Sequence, residues 1–292
     1  MSKKKSKKNS TKKNSFIDKF KKQDNICNIC KKQVVEEDLS VDHVPPKVCP
    51  PVQDRVINKL LYEMTGDKGF KPRESQNGVW YQTICRGCNS KLGSEFDSAL
   101  GDLCRNIETL INSQVQLTLP NSVTVKCRPN AVMKSILGHM LAAKTQTDEV
   151  VIDELARECI LDSNLPIHPD IHIFYWIYPY EITMILRDFA MPAKRGYLNT
   201  TGFFNMIKFY PISFLITHQL PQYENLLSLH SFNQFSPQDE ADIELRLNPV
   251  RRMTWPEECK GLENYLMTGR AAEDSVFSTP KPKKKNNKKT KP

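Results

Sequence analysis

Cys27-Asn28-Ile29-Cys30, Val41-Asp42-His43-Val44-Pro45-Pro46 and Cys85-Arg86-Gly87-Cys88-Asn89 are the stretches on which the reading of this 292-residue chain turns. Two cysteine pairs, each split by two residues, can each bend into a knuckle and together present four thiolates to one tetrahedral zinc ion. A closed four-sulfur site has no open position for water, so such a zinc is expected to fix geometry. Between the pairs, Pro45 and Pro46 stop any regular element directly after Asp42-His43. Neighbouring strand residues point to opposite faces, so Asp42 and His43 can converge on one site only where the strand ends or bends.

Outward from these stretches, residues 34–41 read as a turn and short strand. Val56, Leu60, Leu61 and Met64 suggest one face of a helix over 55–64, and residues 79–84 alternate as a strand entering the second knuckle. Leu92, Phe96, Leu100 and Leu103 then recur at helical spacing. Beyond residue 106 the pattern predicts a hairpin from 115–119 and 123–127, helices over 131–143 and 150–161, and strands over 171–178, 203–210 and 212–217. The fold class is therefore α+β. The expected organisation is a basic tail (1–22), a zinc-knuckle domain (23–105), a second α+β domain (106–268) and another basic tail (269–292).

Together the three motifs resemble a zinc-knuckle HNH endonuclease, over residues 23–105 only. The resemblance implies a ββα-metal fold in which a strand and its turn bring an acid and a histidine beside a helix that supplies a further metal ligand. It assigns Asp42 and Asn89 to a catalytic Mg2+ or Mn2+, His43 to the general base, and Cys27, Cys30, Cys85 and Cys88 to the structural Zn2+. Asn77 is the nearest counterpart of the family's middle asparagine, and the long connection between the knuckles reads as an insertion able to contact substrate. The implied activity is hydrolysis of phosphodiester bonds in DNA, and the family analogy suggests bacterial or phage defence, including antiviral defence. Chemistry agrees with the roles: a neutral imidazole can take a proton from water, and a hard cation on oxygen ligands can neutralise charge on phosphate.

The formal charge of +9 is located at the ends. Residues 1–22 hold ten lysines and one aspartate, and residues 281–292 seven lysines and no acid, which leaves the body between them at −7. Lysine tails rich in Ser, Asn, Thr and Pro are expected to be disordered and to attract phosphate backbones through counterion release. The acidic body argues against a broad basic DNA-reading face. No apolar run reaches the length of a membrane span, and the N-terminus lacks the apolar segment of a signal peptide, so a cytoplasmic protein without membrane contact is expected.

Each feature has a plainer counterpart. Four paired cysteines also suit a non-catalytic zinc ribbon that binds nucleic acid, with the C-terminal domain making protein contacts, whether to a regulatory protein or to a second copy. RNA is a third candidate substrate, since the tails attract either polymer. Cys49, Cys104, Cys127, Cys159 and Cys259 read as buried or free thiols. His139, predicted on a helix with Lys134, and His168 with His172 read as structural. Tyr175, Trp176, Phe203 and Phe204 read as core, and Lys47, Arg86 and Lys91 as either phosphate contacts or solvated charges.

Overall fold

A computed structural model describes residues 20–66, 71–113, 120–191, 202–247, 251–255, 266–267 and 269–282. After a single 3-10 turn at Glu36–Asp38 come β1 (Leu39–His43), β2 (Arg55–Lys59), α1 (Leu60–Thr65), β3 (Arg73–Ser75) and β4 (Trp80–Cys85). A helical run follows, made of α2 (Arg86–Leu92), a π-helical turn (Gly93–Asp97) and α3 (Ser98–Asn112). Next are β5 (Ser122–Cys127), α4 (Pro129–Ala142), α5 (Val151–Leu161), β6 (Ile171–Ile177), β7 (Thr183–Met191), β8 (Gly202–Phe209) and β9 (Ile212–His218). The remaining strands are β10 (Leu227–Ser228), β11 (Ala241–Arg246), β12 (Leu266–Met267) and β13 (Val276–Pro280). The α+β class holds.

β1 pairs antiparallel with β4 as a two-stranded sheet, and its ladder is irregular between Ser40 and Asp42. The strand ends at His43, where Val44-Pro45-Pro46 follows. A nine-stranded sheet runs β10-β6-β9-β8-β7-β13-β2-β3, with β12 also paired to β7, and every pairing in it is antiparallel. One face of that sheet, with Ile173, Ile185, Ile207 and Phe214, packs in the same apolar cluster as α4 and α5. The other face, with Phe174, Trp176, Leu186, Met206 and Leu215, is covered by Leu220, Tyr223 and Ala272.

The long-range pairings alter several expectations. Residue 105 lies inside α3, and β2 and β3, from the first expected domain, sit in the sheet built by the second. A single apolar cluster includes Ile29, Leu92, Val132 and Ile216, so one core spans the expected boundary. Residues 55–59 form a strand where a helix was expected, because Val56 and Ile57 lie between β13 and β3; the helix begins only at Leu60. β5 pairs with β11, while residues 115–119, its expected partner, lie outside the described residues.

The expected tails are shorter than their lysines suggest. Residues 270–274 form a 3-10 turn and residues 276–280 a sheet strand, since Val276 and Ser278 alternate into the core ahead of the lysine run. At the other end Phe20 packs edge-on against Tyr81, with centroids 5.0 Å apart, and Lys22 Nζ donates to Asn28 Oδ1 at 2.7 Å. Residues 1–19 and 283–292 lie outside the described residues. Among those described, no helix is long and apolar enough to cross a membrane.

Candidate metal centre and the site around His43

The first knuckle is a backbone turn: the amide of Lys31 donates to Cys27 O at 2.9 Å and the amide of Cys27 to Lys32 O at 3.1 Å. In the second, Cys85 closes β4 and Cys88 sits in the first turn of α2. All four sulfurs lie within 4.8 Å of one another. Zinc–sulfur bonds of about 2.3 Å in a tetrahedron place sulfurs about 3.8 Å apart. Cys30 Sγ and Cys85 Sγ are separated by 3.8 Å. The amide of Cys85 donates to Cys27 Sγ at 3.2 Å. Donor set and spacing thus fit a metal ion such as zinc. As bare thiols they frustrate one another: a hydrogen bond from Cys88 holds Cys27 down to about 4, and the same contact pushes the Cys88 thiol up. A dication removes that conflict.

The other described cysteines, Cys49, Cys104, Cys127 and Cys159, are buried free thiols; Cys259 lies outside the described residues.

Asp42 and His43 do not converge. His43 is half-buried at the end of β1, while Asp42 turns to the core, 3% exposed. There Asp42 Oδ2 lies 2.8 Å from His139 Nδ1, and His139 Nε2 lies 2.9 Å from Asp97 Oδ1, which also accepts from Ser135 Oγ at 2.8 Å. Burial alone would lower the His139 pKa, yet the two carboxylates hold it well above the ordinary imidazole value. Asp97 is correspondingly held down against its own burial, whereas burial leaves Asp42 raised. An imidazole with a carboxylate on each nitrogen donates to both only as the cation.

Neither His139 nor Asp97 stood out in the sequence as part of this site. The sequence carried no specific signal for it, because His139 shares α4, every residue of which is buried, with three other polar side chains, Asn130, Lys134 and Ser135. Gly138 makes the approach possible, because a Cβ there would lie 2.3 Å from Leu92 Cδ2. The π-helical turn ends at Asp97 and leaves it buried beside Phe96.

Asn89 is brought to β1, with Nδ2 donating to Ser40 Oγ at 2.7 Å and Val41 O at 3.1 Å. Asp42 does not stand as an open ligand for a divalent cation, because its carboxylate is buried and committed to His139, whereas Asn89 spends only its amide nitrogen on the strand. Asn77 is exposed in a left-handed turn (φ 60°), with its backbone amide 3.2 Å from Asp54 Oδ1, so a turn accounts for it.

The His43 imidazole is held down to about 4, first by burial and then by the charges of Lys47 and His139. It is therefore neutral and able to accept a proton across the physiological range. Lys47 is exposed, Lys91 pairs with Glu95 at 3.0 Å, and Arg86 donates to Glu37 O at 3.2 Å. Of the aromatic residues expected in the core, Tyr175, Trp176 and Phe204 are buried and Phe203 is 46% exposed. His168 Nδ1 accepts from the Asp170 amide at 3.2 Å, and His172 stacks on His230 with centroids 4.1 Å apart.

Compared with known proteins, the chain matches no family model, no curated protein and no solved structure.

Proposed function

We propose that this protein is a phosphodiester hydrolase of the HNH type acting on DNA, stapled by a structural zinc on Cys27, Cys30, Cys85 and Cys88, with His43 as its base. The observation that carries the reading is the convergence of both knuckles on the strand pair that presents His43 at its end, with Asn89 tied to the same strand. A ring nitrogen of His43 takes the proton of the attacking water as the oxygen bonds to phosphorus and the bond to the departing sugar oxygen breaks. Lys47 supplies positive charge near the reacting phosphate. The closed sulfur set would keep a zinc out of that reaction and would tie the 27–30 turn to β4 and α2.

The test is nicking of supercoiled plasmid by zinc-loaded wild type and His43→Ala, each with magnesium, manganese or chelator. Nicking lost in the variant supports the reading; no nicking by wild type under any of these conditions removes it.

One observation favours a second reading. Asp42, the acid that the resemblance gives to a metal, is committed to His139. A non-catalytic zinc ribbon that binds nucleic acid would keep such a buried clamp, and would bind plasmid without nicking it.

A further inference from the structure

We propose that the cavity beside Trp80 seats one unstacked nucleobase, so that the strand presented to His43 is single-stranded or locally opened. The proposal rests on the hydrolase reading and adds the class of substrate. His43 and Trp80 are register partners across β1 and β4. Directly opposed residues of an antiparallel pair project from the same face, with Cβ atoms about 4.5–5.5 Å apart. Both side chains are half-buried, so an indole stands beside the candidate base at the solvent edge.

A cavity of about 390 Å³ opens there, lined by Trp80 with Asp54, Glu74, Ser75, Gln76 and Lys281. That is near the lower end of the range of ligand cavities, about 300–1,000 Å³, which suits a single nucleotide and not a stretch of duplex. One wall is aromatic, and a base stacks on such a wall whatever its sequence. The rest is rich in acceptors. Ser75 spends its hydroxyl on Gly78 O at 2.7 Å, Glu74 pairs with Lys281 at 2.5 Å, and Asp54 accepts the Asn77 amide at 3.2 Å. Two carboxylates against one lysine disfavour a phosphate inside the cavity and favour groups that donate hydrogen bonds.

Adenine, guanine and cytosine carry an exocyclic amine, and thymine does not. The base therefore enters while its phosphate stays outside the carboxylate-bearing cavity. A base stacked and paired within a duplex cannot make this contact without leaving the helix.

The test uses the full zinc-loaded chain with no magnesium or manganese added, with fluorescence anisotropy of short labelled strands of deoxyadenosine, deoxycytidine or thymidine and of a duplex. Wild type should bind the amine-bearing strands more tightly than thymidine. Trp80→Ala should weaken that binding about ten-fold or more while leaving duplex binding unchanged, and Trp80→Phe should recover most of it. No loss in Trp80→Ala, or an equal loss on duplex, overturns the pocket. Zinc content and melting are recorded for both variants. If Trp80→Ala does not fold, displacement of the bound strand from wild type by dAMP and dTMP decides, and equal displacement overturns the proposal. Selective binding by a protein that never cleaves would sink the hydrolase reading and keep the pocket; cleavage with unselective binding would do the reverse.

Discussion

His139 Nδ1 lies 2.8 Å from Asp42 Oδ2, so the residue next to the candidate base is fastened to a helix nearly a hundred positions away in sequence. The same imidazole reaches Asp97 with its other nitrogen. β1, α4 and the π-helical turn are thereby joined at one buried point. This clamp fixes the strand that carries His43 from the core side, and at its other end Leu39 pairs with Cys85 of the four-cysteine cluster.

Removing the imidazole leaves two buried carboxylates without their shared cation, and breaking a buried ion pair by deleting one partner costs about 3–5 kcal/mol. His139→Ala should lose about that much in urea unfolding. The triple variant Asp42→Asn, His139→Gln, Asp97→Asn, which removes all three charges, should lose much less. Equal losses in the two would show that the triad carries no buried charge.

His43 is held down to about 4, so its neutral form is nearly complete above about pH 5. If it is the base and chemistry limits turnover, cleavage should be flat between about pH 6 and 8 and fall below pH 5 as the imidazole protonates. His43→Ala should lower the rate about 10²–10⁴-fold. A rate that climbs steadily through pH 6.5 would mean that the titrating base is exposed and is not His43 in this environment.

The knuckles, the end of β1 at His43, the strand into Cys85 and the helices around Leu92 and Val132 were legible because each is written in local spacing. The clamp was not. Asp42, Asp97 and His139 are far apart in the chain, and what unites them is packing: Gly138 against Leu92, and the π-helical turn before Ser98. The strands at 55–59 and 276–280 were missed for a related reason. Each is stabilised by pairing with the other across the length of the chain, and each lies beside a stronger local signal, the helix at Leu60 or the lysines past residue 281. Local pattern therefore found candidate ligands but not their buried partners.

One zinc per chain is expected, and Cys30→Ser or Cys85→Ser should abolish it. Structural zinc sites contribute about 10–16 kcal/mol in isolated peptides, comparable to the whole stability of a domain. Stripping the metal should therefore release β1 and β4, read as loss of amide protection from 39–43 and 80–85 in hydrogen exchange. Full protection in zinc-free protein would show that the four sulfurs do not hold the strand pair.

Asp274 gives a pH test of a different contact. It is 6% exposed and accepts from the Thr145 amide at 2.6 Å and from Thr145 Oγ1 at 3.0 Å. Burial nevertheless raises its pKa from 3.8 to about 6, outweighing those two bonds. Folded protein thus binds this proton more tightly than unfolded protein does, so the stabilisation is complete below about pH 4 and is lost as pH rises through 6. A shift of this size corresponds to about 3 kcal/mol. His43 and His172, both held down to about 4, act in the opposite sense over nearly the same window, so the wild-type curve alone is ambiguous. Asp274→Asn keeps an amide oxygen for Thr145 and removes the ionisation, and the histidines cancel in the comparison. Its stability relative to wild type should rise between about pH 4 and 6 and stay level above. A difference that does not change with pH would mean that the carboxyl ionises as readily folded as unfolded, and that its burial beside Thr145 is not what governs it.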